Sequence, residues 1–160
     1  MSDAALFDRL KQDHDLHRRL LDQISAAEAA EERKSLLDKF RVEVTAHAAA
    51  EEETLYATML SEPDLRHDAQ HSVSEHKEID DFLEEMADLD PASDAWRETF
   101  GKMKHRYTHH IDEEEEDMFP EADKELPDAK LAELGARFEE RKPAELDRAE
   151  KGVDQGDERD

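Results

Sequence analysis

The sequence predicts an all-α protein: an up-down-up-down four-helix bundle with a short fifth C-terminal helix and a disordered acidic tail. Three observations carry this. Only four glycines and five prolines interrupt 160 residues, and the rest is rich in Ala, Leu, Glu, Lys and Arg, which are good helix formers. Apolar residues recur at helical spacing through four long segments, while strand-like alternation is nearly absent. The second half of the chain also repeats the pattern of the first. The length suits one domain with a real core, read as a bundle over residues 1–141 followed by a polar tail over 142–160.

The first helix is expected from about Asp3 to Ser25, capped by Ser2 or Asp3, with Leu6, Leu10, His14, His17, Leu21 and Ile24 facing inward. The second runs from about Glu31 to Leu60, where "SEPD" (Ser61 to Asp64) makes a turn. The third covers about Pro63 to Ala87, with Val73, His76, Ile79, Leu83 and Met86 along one side. After "DLDPASD" (Asp88 to Asp94), a fourth spans about Ala95 to Met118, and Pro120 ends or kinks it. A fifth, near Asp128 to Arg141, places Leu131, Leu134 and Phe138 on one face. Beyond Lys142 the apolar period fades, and "EKGVDQGDERD" reads as a frayed tail.

Composition excludes several functions. The chain has no cysteine, hence no disulfide, thiolate site or cysteine nucleophile. Forty-six acids against 22 Lys and Arg give a net charge of −24, which makes nucleic acid and anionic membranes poor partners. The opening "MSDAALFDRLKQDHD" lacks the basic region and apolar core of a signal peptide, and no run is long and apolar enough to span a bilayer. A soluble, cytoplasmic protein is the expectation. Oligomeric state is left open.

One feature of the second helix is anomalous. Its inward stripe is Leu37, Phe40, Val44, His47, Glu51 and Leu55, so a histidine and a carboxylate occupy core positions. Shifted by 63 residues, this helix lands on the fourth: Phe40 on Met103, Val44 on Tyr107, His47 on His110, Glu51 on Glu114 and Leu55 on Met118. A shift of 62 lays the first helix on the third, with His14 on His76 and Leu21 on Leu83.

Residues four apart on a helix share a face, so His47 with Glu51, and His110 with Glu114, each point a nitrogen and an oxygen at one place. Packing the two hairpins together brings in His14 and His76, which makes four imidazoles and two carboxylates in one apolar interior. A lone buried histidine is ordinarily a satisfied core residue. Buried carboxylates cost several kcal/mol each unless paired, and no Lys or Arg lies on these stripes beside them. Two carboxylates can bridge two metal ions that the histidines cap. The acidic run "DEEEED" (Asp112 to Asp117) also allows a register using His109 and Glu113, but the repeat favours His110 and Glu114. His17 aligns with Ile79 and reads as a core group beside the site; Tyr107 and Tyr56 read as packing, with Tyr107 the better placed of the two.

In this order, "DHDLHRRLL", "HAAAEEETLY", "EHKEIDDFL" and "HIDEEEEDMFP" resemble the hemerythrin-like domains, also called HHE cation-binding domains, over roughly Leu6 to Pro120. "ELGARFEERK" resembles the fifth helix that many of them carry. The resemblance implies a non-haem diiron centre, two iron ions (Fe2+/Fe3+) with a bridging oxo or hydroxo group, held by His14, His47, Glu51, His76, His110 and Glu114. The donor set itself also accepts manganese, cobalt, nickel or zinc. Oxygen-carrying hemerythrins have a fifth histidine four residues from the one on the third helix. Here those places are Ser72 and Asp80, which leaves room for a water or an exchangeable ligand, and the second carboxylate is Glu rather than Asp.

The function implied is binding of, or reaction with, a small oxidant: dioxygen, peroxide or nitric oxide. Catalase-like peroxide decomposition fits the same centre, although no separate acid–base pair demands an enzyme. The rival expectation is an iron or oxygen sensor, or an iron-holding protein, acting through metal-dependent stability.

Overall fold

A computed structural model describes residues 4–155; the cap assigned to Ser2 or Asp3, and the last residues of the polar tail, lie outside the described residues. The elements are α1 (Ala4–Ala26), α2 (Ala30–Glu51), a π turn (Glu52–Tyr56), α3 (Ala57–Leu60), α4 (Arg66–Ala87), α5 (Asp94–Glu113), a second π turn (Glu114–Met118), α6 (Phe119–Glu125) and α7 (Asp128–Gln155). No strand occurs among them. Functionally, α2 with α3 and α5 with α6 are two long helices, each interrupted by one π turn. With α1 and α4 they form the expected four-helix bundle, and α7 packs along α2 and α1.

The inward stripes of α1, α2 and α5 are buried as their periodicity predicts. They divide into two apolar clusters. One, at the Leu6 end, gathers Leu10, Leu55, Met118, Leu134 and Phe138. The other, at the far end, gathers Ile24, Phe40, Leu83, Trp96 and Phe100. On each of the four bundle helices the inward histidines and glutamates fall between the main bodies of these clusters, so the site is closed above and below by apolar packing.

Four local departures from the sequence pattern matter. Helix α4 starts at Arg66 rather than Pro63, because Leu65 and Arg66 both donate to the Glu62 carbonyl in a tight turn. Val73 is exposed on α4, and Ala69, Ser72 and Glu75 face inward in its place. Pro120 does not end the chain's helical course: it falls in the first turn of α6, directly after the π turn, and the helix runs on to Glu125. The fifth helix begins at Asp128 but runs through Pro143 to Gln155 rather than stopping at Arg141. Its continuation is held by polar groups that a hydrophobic period does not register: Lys142 and Glu145 are buried on it.

Candidate metal centre

The two π turns begin beside the two inward glutamates. A π turn takes an extra residue and rotates the face that follows it, and such turns recur at functional sites. Here Glu51 closes α2 and Glu114 opens the second π turn. The rotation also brings Tyr56 fully inside, where an ideal helical period puts it beside the stripe. Thr54 is buried with its hydroxyl donating 2.7 Å to the Ala50 carbonyl, where the ladder changes register.

All six sequence-predicted residues come together: His14 from α1, His47 and Glu51 from α2, His76 from α4, His110 from α5, and Glu114. Ligand atoms of His14, His47, Glu51 and Glu114 lie within 4.8 Å of one another, and so do those of His76, His110 and Glu114. Glu114 belongs to both groups, with Oε1 3.1 Å from His14 Nε2 and Oε2 3.8 Å from His110 Nε2. Glu51 also spans them, its Oε1 lying 3.4 Å from His47 Nε2 and 3.6 Å from His76 Nε2. The alternative register fails: His109 and Glu113 lie toward the surface, 3.7 Å apart.

Each of the four histidines presents Nε2 inward because a carboxylate holds its Nδ1. Glu115 takes His14 at 2.7 Å, Asp13 takes His47 at 2.8 Å, Glu52 takes His76 at 2.7 Å and Glu75 takes His110 at 2.7 Å. An ionised carboxylate only accepts, so Nδ1 carries a proton and Nε2 is the ring nitrogen left facing the interior, open to a cation once the ring is neutral. Sequence reasoning missed these four acids, yet the repeat contains them. Asp13 and Glu75 each precede a lone histidine, and Glu52 and Glu115 each follow an inward glutamate. Losing one such buttress typically costs 10–100-fold in metal affinity. Asp13→Asn is therefore expected to weaken metal uptake by about that factor, read by competition with a chromogenic chelator; unchanged affinity would leave the buttress without effect.

Six buried atoms make no hydrogen bond to any described residue: Nε2 of His14, His17 and His47, both oxygens of Glu51, and Oε1 of Glu114. Five of them belong to the six converging residues. Orphaned polar atoms on this scale are costly in a protein interior, and a cation is the partner their geometry fits. Without one, the carboxylates titrate apart. Burial, then the facing charge of Glu114, holds Glu51 well above the ordinary range. Burial pushes Glu114 up as well, but His110 and His14 outweigh it and hold that group well below. Glu51 is thus the one that keeps a proton.

His17 stands apart from both groups. Its Nδ1 is hydrogen-bonded to the Tyr107 hydroxyl at 2.7 Å, and burial, then repulsion from His47 and His14, keeps the ring neutral. Tyr56, which sequence reasoning ranked below Tyr107, donates its hydroxyl to Glu114 Oε2 and stacks on His76 with centroids 5.4 Å apart. Burial, then the charges of Glu114 and Glu51, raises both tyrosines well above their ordinary pKa.

Two clefts approach the centre from the side of α4. One, of about 280 Å³, is lined by His71, Ser72 and Glu114; the other, of about 510 Å³, by Glu52, Val73 and His76. Ser72 and Asp80, the positions where an oxygen-carrying hemerythrin has room for a further histidine, lie along these clefts. At the surface nearby, His71, Glu75 and Glu113 form a third, half-exposed group of donor atoms.

A four-helix bundle whose interior holds paired histidines and carboxylates with uncommitted donor atoms defines a cation-binding helical protein. The chain belongs to the hemerythrin HHE cation-binding domain family, whose model matches residues 5–122. Among solved structures it is similar to the hemerythrin HHE cation-binding domain-containing protein that is the Rv2633c homologue from Mycobacterium kansasii. That likeness has 25% identity and a TM-score of 0.80, covering 94% of this chain and 93% of the other. The comparison with curated proteins gives no match.

Proposed function

We propose that this protein holds two iron ions between His14, His47, Glu51, His76, His110 and Glu114, and uses them to bind or react with a small oxidant: dioxygen, peroxide or nitric oxide. The observation that carries the reading is that Glu114 reaches His14 and His110 while Glu51 reaches His47 and His76, with five of the orphaned atoms on these residues. Iron so held supplies one-electron changes at each of two positions and an open place for a small ligand.

The chain's own groups do the rest. Four buttressing acids fix the tautomers, so no imidazole has to turn for its Nε2 to serve. Phe119, stacked on His14, and Phe138, against the ring of His47, keep water from that side. The clefts along α4 offer a small ligand its approach, beside Ser72 rather than a fifth histidine. Tyr56 holds its proton at the hydroxyl that faces Glu114.

A second reading has its own support, because Glu51 and Glu114 oppose one another when no ion separates them. A protein so built reports metal occupancy through stability, as an iron or oxygen sensor or an iron-holding protein would.

Metal content after anaerobic iron loading, with absorption spectra in air and then with azide, tests the proposal. Two irons per chain and an azide-sensitive band are expected, with peroxide consumption tracking iron occupancy. One ion or none, or peroxide loss that survives removal of Glu51 and Glu114, would sink it.

A further inference from the structure

The fifth helix lies outside residues 5–122, which the family model matches, yet it reaches the centre, and on one side only. Lys142 of α7 is 4% exposed. Its Nζ donates 2.9 Å to Asp13 Oδ2, the same oxygen that takes His47 Nδ1 at 2.8 Å. Arg9 donates 2.6 Å to the other oxygen of Asp13, and Arg9 is itself tied to Glu139 of α7 at 3.0 Å. Phe138, also on α7, meets the His47 ring with centroids 5.8 Å apart. Glu43 is the other acid near Lys142, at 3.7 Å.

The equivalent acid in the other half is Glu75, which takes His110 Nδ1 at 2.7 Å. Among the described residues no ammonium reaches it. Arg106 stands 3.8 Å away and half-exposed His71 3.2 Å away. The repeat supplies each histidine with its carboxylate, and the unduplicated fifth helix then places a buried cation on only one of the pair.

An imidazole donates more strongly at Nε2 when the acceptor on its Nδ1–H is a full anion. Two cations on Asp13 drain that anion and weaken its pull on the His47 proton. We propose that Lys142 is a positioning residue that lowers the donor strength of His47 through Asp13, so that the His47 side of the centre is poorer in electron density than the His110 side. This rests on the reading of His47 and His110 as metal ligands.

The test uses the full chain, labelled with 15N in histidine and loaded with Zn2+ as a diamagnetic ion. The Nδ1–H resonances report the bonds to Asp13 and Glu75, and the Nε2 resonances report ligation separately. In Lys142→Met, and in Lys142→Gln should the first not fold, the His47 Nδ1–H signal is expected to move downfield while that of His110 stays. Lys142→Arg should restore the wild-type position. A His47 signal unmoved in the uncharged variants would overturn the proposal, as would an arginine variant that shifts as far as they do. Nε2 signals insensitive to zinc would instead count against the ligand reading itself.

Discussion

Glu51→Gln is expected to make the metal-free protein more stable than wild type and the metal-loaded protein less stable. Glu51 is fully buried, faces Glu114, and has both oxygens without a hydrogen-bond partner among the described residues. Its pKa lies well above the ordinary range because of burial and then the Glu114 charge, so keeping it in the fold near neutral pH costs free energy that the unfolded chain does not incur. An amide needs no proton to enter the fold uncharged and can donate to Glu114. Removing that protonation cost should yield about 1–3 kcal/mol in the metal-free form. With metal present the sign reverses, since a donor shared by both histidine pairs is gone. Urea denaturation of both proteins, with chelator and with ion, reads the crossing. A variant weaker than wild type under both conditions would show that Glu51 contributes to the fold without metal.

On the proposed occupancy of two ions, chelation of the loaded wild-type protein should lower its melting temperature by roughly 15–30 °C, given about 4 kcal/mol for each ion at a thousandfold excess over Kd and about 2–4 °C per kcal/mol for a chain of this size. The gap should widen as pH rises from mild acid to neutrality. A carboxyl whose folded pKa is raised makes the fold bind more protons than the unfolded chain, so it withdraws stability from the metal-free protein as pH climbs toward that pKa; buried His17, with its pKa lowered, works the opposite way but in both forms, and so leaves the gap unchanged. Glu51 is this group. Glu114 is shifted the other way, so its contribution is lost only as pH falls below the ordinary carboxylate range, outside the window. With both carboxylates ligating as proposed, the metal-loaded form would hold both groups ionised and escape the loss, and protons compete less for the histidines as pH rises. Paired melting curves at mildly acidic and neutral pH measure the gap. Equal melting temperatures with and without metal would contradict both the site and the stability-based reading.

The bundle was legible because a 3.6-residue period is a property of burial, and burial decides where Leu10, Phe40, Leu83 and Met103 go. The six converging residues were legible because His and Glu at core positions are expensive, and the repeat doubled the signal. What escaped has a physical reason in each case. The π turns leave no mark on hydropathy, so Tyr56 was placed at the edge of the stripe when an extra residue rotates it onto Glu114. The buttressing acids sit beside the stripe, where an apolar period carries no signal, and Glu115 lies within the acidic run Asp112 to Asp117, which reads as mostly solvated. Only their partners across the bundle, as with Glu115 on His14, give them a role. The fifth helix outlasted its apolar period because Lys142 is buried by a charge partner, Asp13, that is 129 residues away in sequence.

The duplicated pattern has a consequence for modularity. Residues 4–62 contain His14, His47 and Glu51 with the buttresses Asp13 and Glu52; residues 63–125 contain His76, His110 and Glu114 with Glu75 and Glu115. Either hairpin, paired with a copy of itself about a dyad, would hold a complete inventory of donors and of the acids that aim them. The link through Ser61 to Leu65 therefore contributes proximity rather than chemistry. What a symmetric assembly could not reproduce is its departures from the dyad: Lys142 on one acid, and the bond of His17 to Tyr107 across the two hairpins. A single chain is what allows two otherwise equivalent halves to differ.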